Sequence, residues 1–122
     1  MKKILIVEDE LAYITLLSEK LSHEYQVLSA SNGKEGLQVA TKEHPDLILC
    51  DISMPVMDGM SMLKELRKDD FGAKVKVIML TNLEPTEDIL KSAVAGQPTS
   101  YVIKSDTSFS ELITKIKETL SE

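Results

Sequence analysis

LILCDISMPVMDGM, residues 47–60, decides the fold. Four apolar residues run without a polar break into an acid, Asp51, and the chain then turns through Pro55 and Asp58-Gly59. A strand with apolar side chains at every position leaves no face for water. That is the pattern of a parallel sheet covered by helices on both sides, whereas an antiparallel sheet with one wet face alternates. Working outward, the strand DLILC (46–50) is joined by KILIV (3–7), YQVLSA (25–30), VKVIML (75–80) and SYVI (100–103).

Helical spacing fills the gaps between these runs. It is carried by Leu11, Ile14, Leu17 and Leu21, by Leu37 and Ala40, and by Leu63 and Leu66. Ile89, Leu90, Ala93 and Val94 carry it next, and finally Leu112, Ile113, Ile116 and Leu120. Asn32 with Glu35 and Ser108 with Glu111 have the spacing of a capping box, and Pro85 suits a first helical turn. Five strands alternating with five helices define an α/β protein. Right-handed crossovers then predict a doubly wound five-stranded parallel sheet in the order 2-1-3-4-5, with helices on both faces. No linker, repeat or shift in composition divides residues 1–122, so one domain is expected.

Composition narrows the function. The net charge is -6 and Arg67 is the single arginine, which speaks against direct nucleic-acid binding by this chain, since phosphate contacts call for clustered basic residues. Cys50, the one cysteine, can form no internal disulfide and reads as a small core residue. Neither a signal peptide nor a long apolar run is present, so a cytoplasmic location away from membranes is expected.

In an open parallel sheet the binding crevice lies beyond the carboxyl ends of the strands, at the switch point, which in this order falls between strands 1 and 3. Strand 1 runs into Glu8-Asp9-Glu10, strand 3 into Asp51, strand 4 into Thr81-Asn82 and strand 5 into Lys104. Taken singly, Asp9 reads as a helix cap, Thr81 as a loop residue and Lys104 as a solvated lysine. Taken together, Glu8, Asp9 and Asp51 would repel one another and raise each other's pKa. An all-oxygen site with room for water suits Mg²⁺ or Mn²⁺. A metal and a lysine able to neutralise phosphoryl oxygens, set beside a carboxylate acceptor, are the equipment of phosphoryl transfer. Asp51 is the central candidate, expected between the acidic pair and the lysine.

ILIVEDE at 4–10, DLILCDISMPVMDG at 46–59, VIMLTN at 77–82 and YVIKS at 101–105 resemble the receiver domain of two-component response regulators, and the resemblance covers essentially the whole chain. It implies that Asp51 is the phosphoacceptor, served by a phosphohistidine on a sensor histidine kinase or phosphotransfer protein. It implies Mg²⁺ held by Glu8, Asp9, Asp51 and the backbone carbonyl of Ser53, with Lys104 on the phosphoryl oxygens. Thr81 would hydrogen-bond the new phosphoryl group and Tyr101 would move inward to fill the space that Thr81 leaves. The surface of the fourth helix, fifth strand and fifth helix would thereby change and control an unknown output partner or domain. Such a protein catalyses its own phosphorylation and dephosphorylation but is a signalling protein rather than a turnover enzyme.

Further expectations follow from particular residues. The kinase is expected to dock near Leu11, Ala12 and Thr15. With no arginine beyond Arg67 to build salt bridges on the switch surface, the unphosphorylated chain is expected to be a monomer. Ser53 is short and Leu83 cannot orient a hydrolytic water, so slow self-dephosphorylation is expected. Two positions depart from the usual pattern. Ser105 stands where proline commonly follows the lysine in a cis peptide, and because a non-proline cis bond costs about 2.5–4 kcal/mol, a trans peptide is expected. Pro98 restricts Gln97 to extended conformations before strand 5. A flavodoxin-like cofactor protein is disfavoured because EDELAY, after strand 1, would repel a flavin phosphate, and a phosphatase with an aspartyl nucleophile after its first strand would need a second acid two residues on. The alternative is a receiver-like binding module that is not regulated by phosphorylation.

Overall fold

A computed structural model describes residues 1–81 and 98–121. Its elements are β1 (Lys3–Val7), α1 (Leu11–Leu21), β2 (Gln26–Ala30), α2 (Gly33–Glu43), β3 (Leu47–Asp51), α3 (Gly59–Leu66), β4 (Lys76–Thr81) and β5 (Ser100–Ile103). A short 3-10 turn, Lys104–Asp106, and a C-terminal helix, α4 (Phe109–Ser121), complete the described chain. All five strands pair in parallel in the order β2-β1-β3-β4-β5, the topology expected from the apolar runs. Four α-helices are described. The helix predicted around Pro85, Ile89, Leu90, Ala93 and Val94 lies outside the described residues, as do Asn82, Leu83 and Gln97.

The sheet separates two apolar clusters, and strand parity assigns side chains to them. Leu5, Val7, Ile48, Cys50, Val77 and Met79 join Met62, Leu63 and Leu66 of α3 and Ala40 of α2 on one face. Ile4, Ile6, Leu47, Leu49, Ile78, Leu80 and Val102 join Leu17 and Leu21 of α1 and Leu112, Ile116 and Leu120 of α4 on the other. Every residue of β3 is buried, as its unbroken apolar run requires.

Local signals are met unevenly. At α4 the capping box closes in both directions, Glu111 N donating to Ser108 Oγ at 3.1 Å and Ser108 N to Glu111 Oε1 at 3.2 Å. At α2 only half of it forms. Asn32 Oδ1 accepts from Glu35 N at 2.9 Å, but the Glu35 carboxylate takes the Ser31 hydroxyl at 3.0 Å. Leu11 shares the helical spacing of α1 yet is 75% exposed, because at 100° per residue it falls at the margin of the inward stripe. The inward stripe there is Tyr13, Ile14, Leu17 and Leu21. Lys2 and Lys76, at the amino ends of β1 and β4, donate to the Leu120 and Thr119 carbonyls, which satisfies the last turn of α4 at its negative end. No helix among the described residues is long and apolar enough to cross a membrane.

Candidate functional site

The register that pairs Val7 with Cys50 brings the end of β1 beside the end of β3. Glu8 continues the parity of Ile4 and Ile6, Asp51 that of Leu47 and Leu49, and Lys104 that of Val102. The three charged groups thus extend the face packed by α1 and α4. Carboxylate oxygens of Glu8, Asp9 and Asp51 lie within 4.8 Å of one another. Glu8 is fully buried, Asp51 is 5% exposed and Asp9 is open to solvent.

Lys104 enters this cluster directly. Its ammonium donates to Glu8 Oε2 at 2.6 Å and to Asp51 Oδ2 at 3.4 Å, and lies 3.8 Å from Glu10 Oε1. The ammonium thus stands closer to Glu8 than to Asp51, the residue expected between the acidic pair and the lysine. Glu8 has no water to solvate it, so the nearest cation is drawn to it first. The other oxygen of Asp51, Oδ1, accepts the Ser53 backbone N–H at 3.2 Å, and Glu8 Oε1 accepts that of Glu10 at 3.2 Å. The Lys104–Ser105 peptide is trans, as expected, and opens the 3-10 turn.

Charge states follow from burial. Removal from water pushes the Glu8 carboxyl up to about 7, with the field of Asp51 adding to the rise and the hydrogen bond from Lys104 opposing it. Burial alone would lower the Lys104 ammonium, but the hydrogen bond to Glu8 and the fields of Asp51 and Glu8 outweigh it and hold it raised. Burial also raises Tyr13 and the Cys50 thiol, leaving Cys50 the inert core residue expected.

The backbone fixes where Asp51 stands. Ile52 N donates to Leu80 O at 2.9 Å and Gly59 N to Ile52 O at 2.9 Å, so the strand end is tied to β4 on one side and to the start of α3 on the other. Asp58 caps α3 through Ser61 N at 2.8 Å. Gly59 must be glycine for steric reasons, since a Cβ would fall onto the Asp51 carbonyl oxygen and 2.9 Å from its carbonyl carbon. Between them Val56 adopts φ 67°, an unusual value for a β-branched residue, and is 79% exposed.

Thr81 is buried at the end of β4, beside Ile103. Tyr101 pairs with Met79 and packs on the α2/α3 face, and its buried hydroxyl has no hydrogen-bond partner among the described residues. The structure thus brings Glu8, Asp9, Asp51 and Lys104 together and sets Tyr101 on the other side of the sheet. Sequence reasoning missed Tyr13, whose ring lies 4.1 Å from the Lys104 ammonium, and the approach of Glu10 to the same cation. The spacing of Tyr13 from Leu17 and Leu21 marks it as inward-facing, but not as a neighbour of charge.

Fold and site together define a small α/β domain with an acidic, lysine-flanked crevice at its switch point. The chain matches the response regulator receiver domain model over residues 4–117, and it belongs to that family. It is 38% identical over 101 residues to sporulation initiation phosphotransferase F of Bacillus subtilis, covering 82% of this chain and 80% of that protein. It is 38% identical over 104 residues to the probable transcriptional regulator ycf27 of Cyanophora paradoxa, covering 84% of this chain but only 42% of that protein. The chain therefore spans about two fifths of the length of such transcriptional regulators. Among solved structures, the response regulator TrrA from Thermotoga maritima in complex with Mg²⁺-BeF matches at TM-score 0.83 and 36% identity, covering 98% of this chain and 99% of that one. A CheY-like receiver domain protein from Methanospirillum hungatei matches at TM-score 0.90 and 30% identity, covering 99% and 94%.

Proposed function

We propose that this receiver domain is a phosphorylation-activated switch with Asp51 as its phosphoacceptor. An Asp51 carboxylate oxygen attacks the phosphorus of a phosphohistidine on a sensor histidine kinase or phosphotransfer protein. The phosphorus–nitrogen bond breaks and the imidazole leaves with the electron pair. The Ser53 N–H on Oδ1 holds the carboxylate plane and leaves Oδ2 towards Lys104. The Lys104 ammonium, 3.4 Å from Oδ2, meets the charge that arrives with the phosphoryl group.

The donor set fits a divalent cation: three carboxylate oxygens within 4.8 Å, all hard ligands, with exposed Asp9 on the solvent side. Glu8, Asp9, Asp51 and the Ser53 carbonyl would hold Mg²⁺, with Mn²⁺ a fitting substitute. When bound, the ion neutralises the carboxylates and polarises phosphoryl oxygens. In the proposed response the Thr81 hydroxyl hydrogen-bonds the phosphoryl group and Tyr101 repacks, so that the surface around β5 and α4 changes for an output domain or partner. Exposed Leu11, Ala12 and Thr15 on α1 offer the donor kinase a docking edge beside the crevice.

The observation that carries this proposal is the meeting of three carboxylates and one buried lysine at the carboxyl ends of β1, β3 and β5. Intact-mass spectrometry after incubation with acetyl phosphate and Mg²⁺ tests it. A single phosphoryl adduct is expected, absent from Asp51→Asn. Retention of the adduct in that variant overturns the assignment.

A further inference from the structure

Lys104 carries a flexible four-carbon stem, and three carboxylates compete for its ammonium: Glu8 at 2.6 Å, Asp51 at 3.4 Å and Glu10 at 3.8 Å. Lys104 follows β5 directly and opens a three-residue 3-10 turn. Its side chain is only 5% exposed and takes a definite position between Glu8 and Asp51. An aromatic face also lies against the ammonium. The Tyr13 ring centroid stands 4.1 Å from Nζ, and the ring is itself backed by Phe109 of α4, centroid to centroid 5.2 Å at an interplanar angle of 36°.

We infer that Tyr13 is a positioning residue for Lys104, acting through the attraction between its ring and the ammonium. This inference rests on the proposal that Lys104 meets the phosphoryl group. The ring adds to the ammonium an attraction that comes from no carboxylate. It fixes the distance at which the ammonium stands, so that the cation stays within reach of Asp51 when a phosphoryl group arrives instead of collapsing wholly onto Glu8. The α1–α4 packing that places Tyr13 against Phe109 thereby sets the geometry of a charge at the crevice. Ring–cation attraction of this kind strengthens as water is removed, and the low exposure of Lys104 places it in the stronger range.

Phosphorylation by acetyl phosphate at saturating Mg²⁺ tests the inference in four variants of the full chain. Tyr13→Leu replaces the ring with a smaller apolar side chain and is expected to slow uptake about 30-fold, the size of a desolvated cation–π contact. Tyr13→Phe keeps the ring and is expected to stay within about twofold of the parent. In a Lys104→Met background, Tyr13→Leu is expected to have no further effect. The direct readout is the upfield ring-current shift of the Lys104 ε-methylene protons, present in the parent and in Tyr13→Phe and lost in Tyr13→Leu. An equal slowing by Tyr13→Leu with and without Lys104, or a shift that survives loss of the ring, overturns the inference alone. A Lys104→Met rate equal to that of the parent overturns the proposal beneath it.

Discussion

Replacing Gly59 with alanine adds a single methyl group at the point where α3 starts against the end of β3. That methyl would overlap the Asp51 carbonyl oxygen and stand 2.9 Å from its carbonyl carbon and 3.0 Å from Ile52 Cα. Unstrained carbon contacts lie near 3.5–4.0 Å, so the carbon atoms must separate by about 0.5–1 Å and the overlapped oxygen by more than about 1 Å. The neighbours are main chain held by the Gly59 N to Ile52 O and Ile52 N to Leu80 O bonds, and they cannot rotate away as a side chain would. Overpacking of this kind costs about 1–3 kcal/mol, against which alanine recovers up to about 1 kcal/mol of helix propensity. The expected net loss is about 1–2 kcal/mol, read as a lower urea midpoint at unchanged m-value. The larger effect falls on chemistry. Displacing Asp51, the proposed phosphoacceptor, by about 1 Å is expected to slow phosphoryl uptake on the order of 10²-fold. A Gly59→Ala protein with unchanged midpoint and unchanged uptake from acetyl phosphate would refute the claim that this contact sets the position of Asp51.

Glu8 sets a pH dependence. Its folded pKa of about 7 lies above the ordinary 4.5, so the metal-free native state binds the extra proton, and stability present below about pH 4.5 is lost as pH rises through 7, by on the order of 3 kcal/mol. Urea midpoints at pH 5.5 and 7.5 should fall with pH in the parent, less so with Mg²⁺ present, and stay level in Glu8→Gln; a level parent contradicts the burial effect. Ser108→Ala removes the side-chain acceptor of a fully formed capping box and should cost about 1 kcal/mol by urea melting, with no change in uptake rate. Ala12→Asp should slow transfer from the partner kinase while sparing uptake from acetyl phosphate, and equal losses from both donors would point to a damaged crevice instead. Ser53→Asn with Leu83→Glu should shorten the phosphoryl lifetime, since both add groups that can orient water; an unchanged decay rate counts against the water-placement idea.

Much of this was legible because strand ends are strong signals in a parallel sheet. Once DLILC and KILIV are read as neighbouring strands, Glu8, Asp9 and Asp51 must meet, whatever their exact rotamers. Lys104 was legible as a member of the cluster but not as the closest partner of Glu8, which depends on which carboxylate has lost its water. Tyr13 was not legible as a contact of that lysine, because an aromatic on the inward stripe of a helix reads the same whether it touches leucine or ammonium. Leu11 fitted the helical period and is nevertheless exposed, since it falls at the margin of the inward stripe. The positive φ of Val56 had no sequence signal at all, for nothing in a β-branched side chain announces that conformation.

The division of the core by the sheet has a further consequence. Glu8, Asp51 and Lys104 extend the α1/α4 side, while Tyr101 packs on the α2/α3 side. The sheet is a bulkhead between the chamber where charge would be delivered and the chamber where aromatic packing would answer. In the proposed switch, Thr81 at the end of β4 is the residue at the bulkhead's rim that would link the two. On that proposal, substitutions on either side would retune chemistry and response as separate traits.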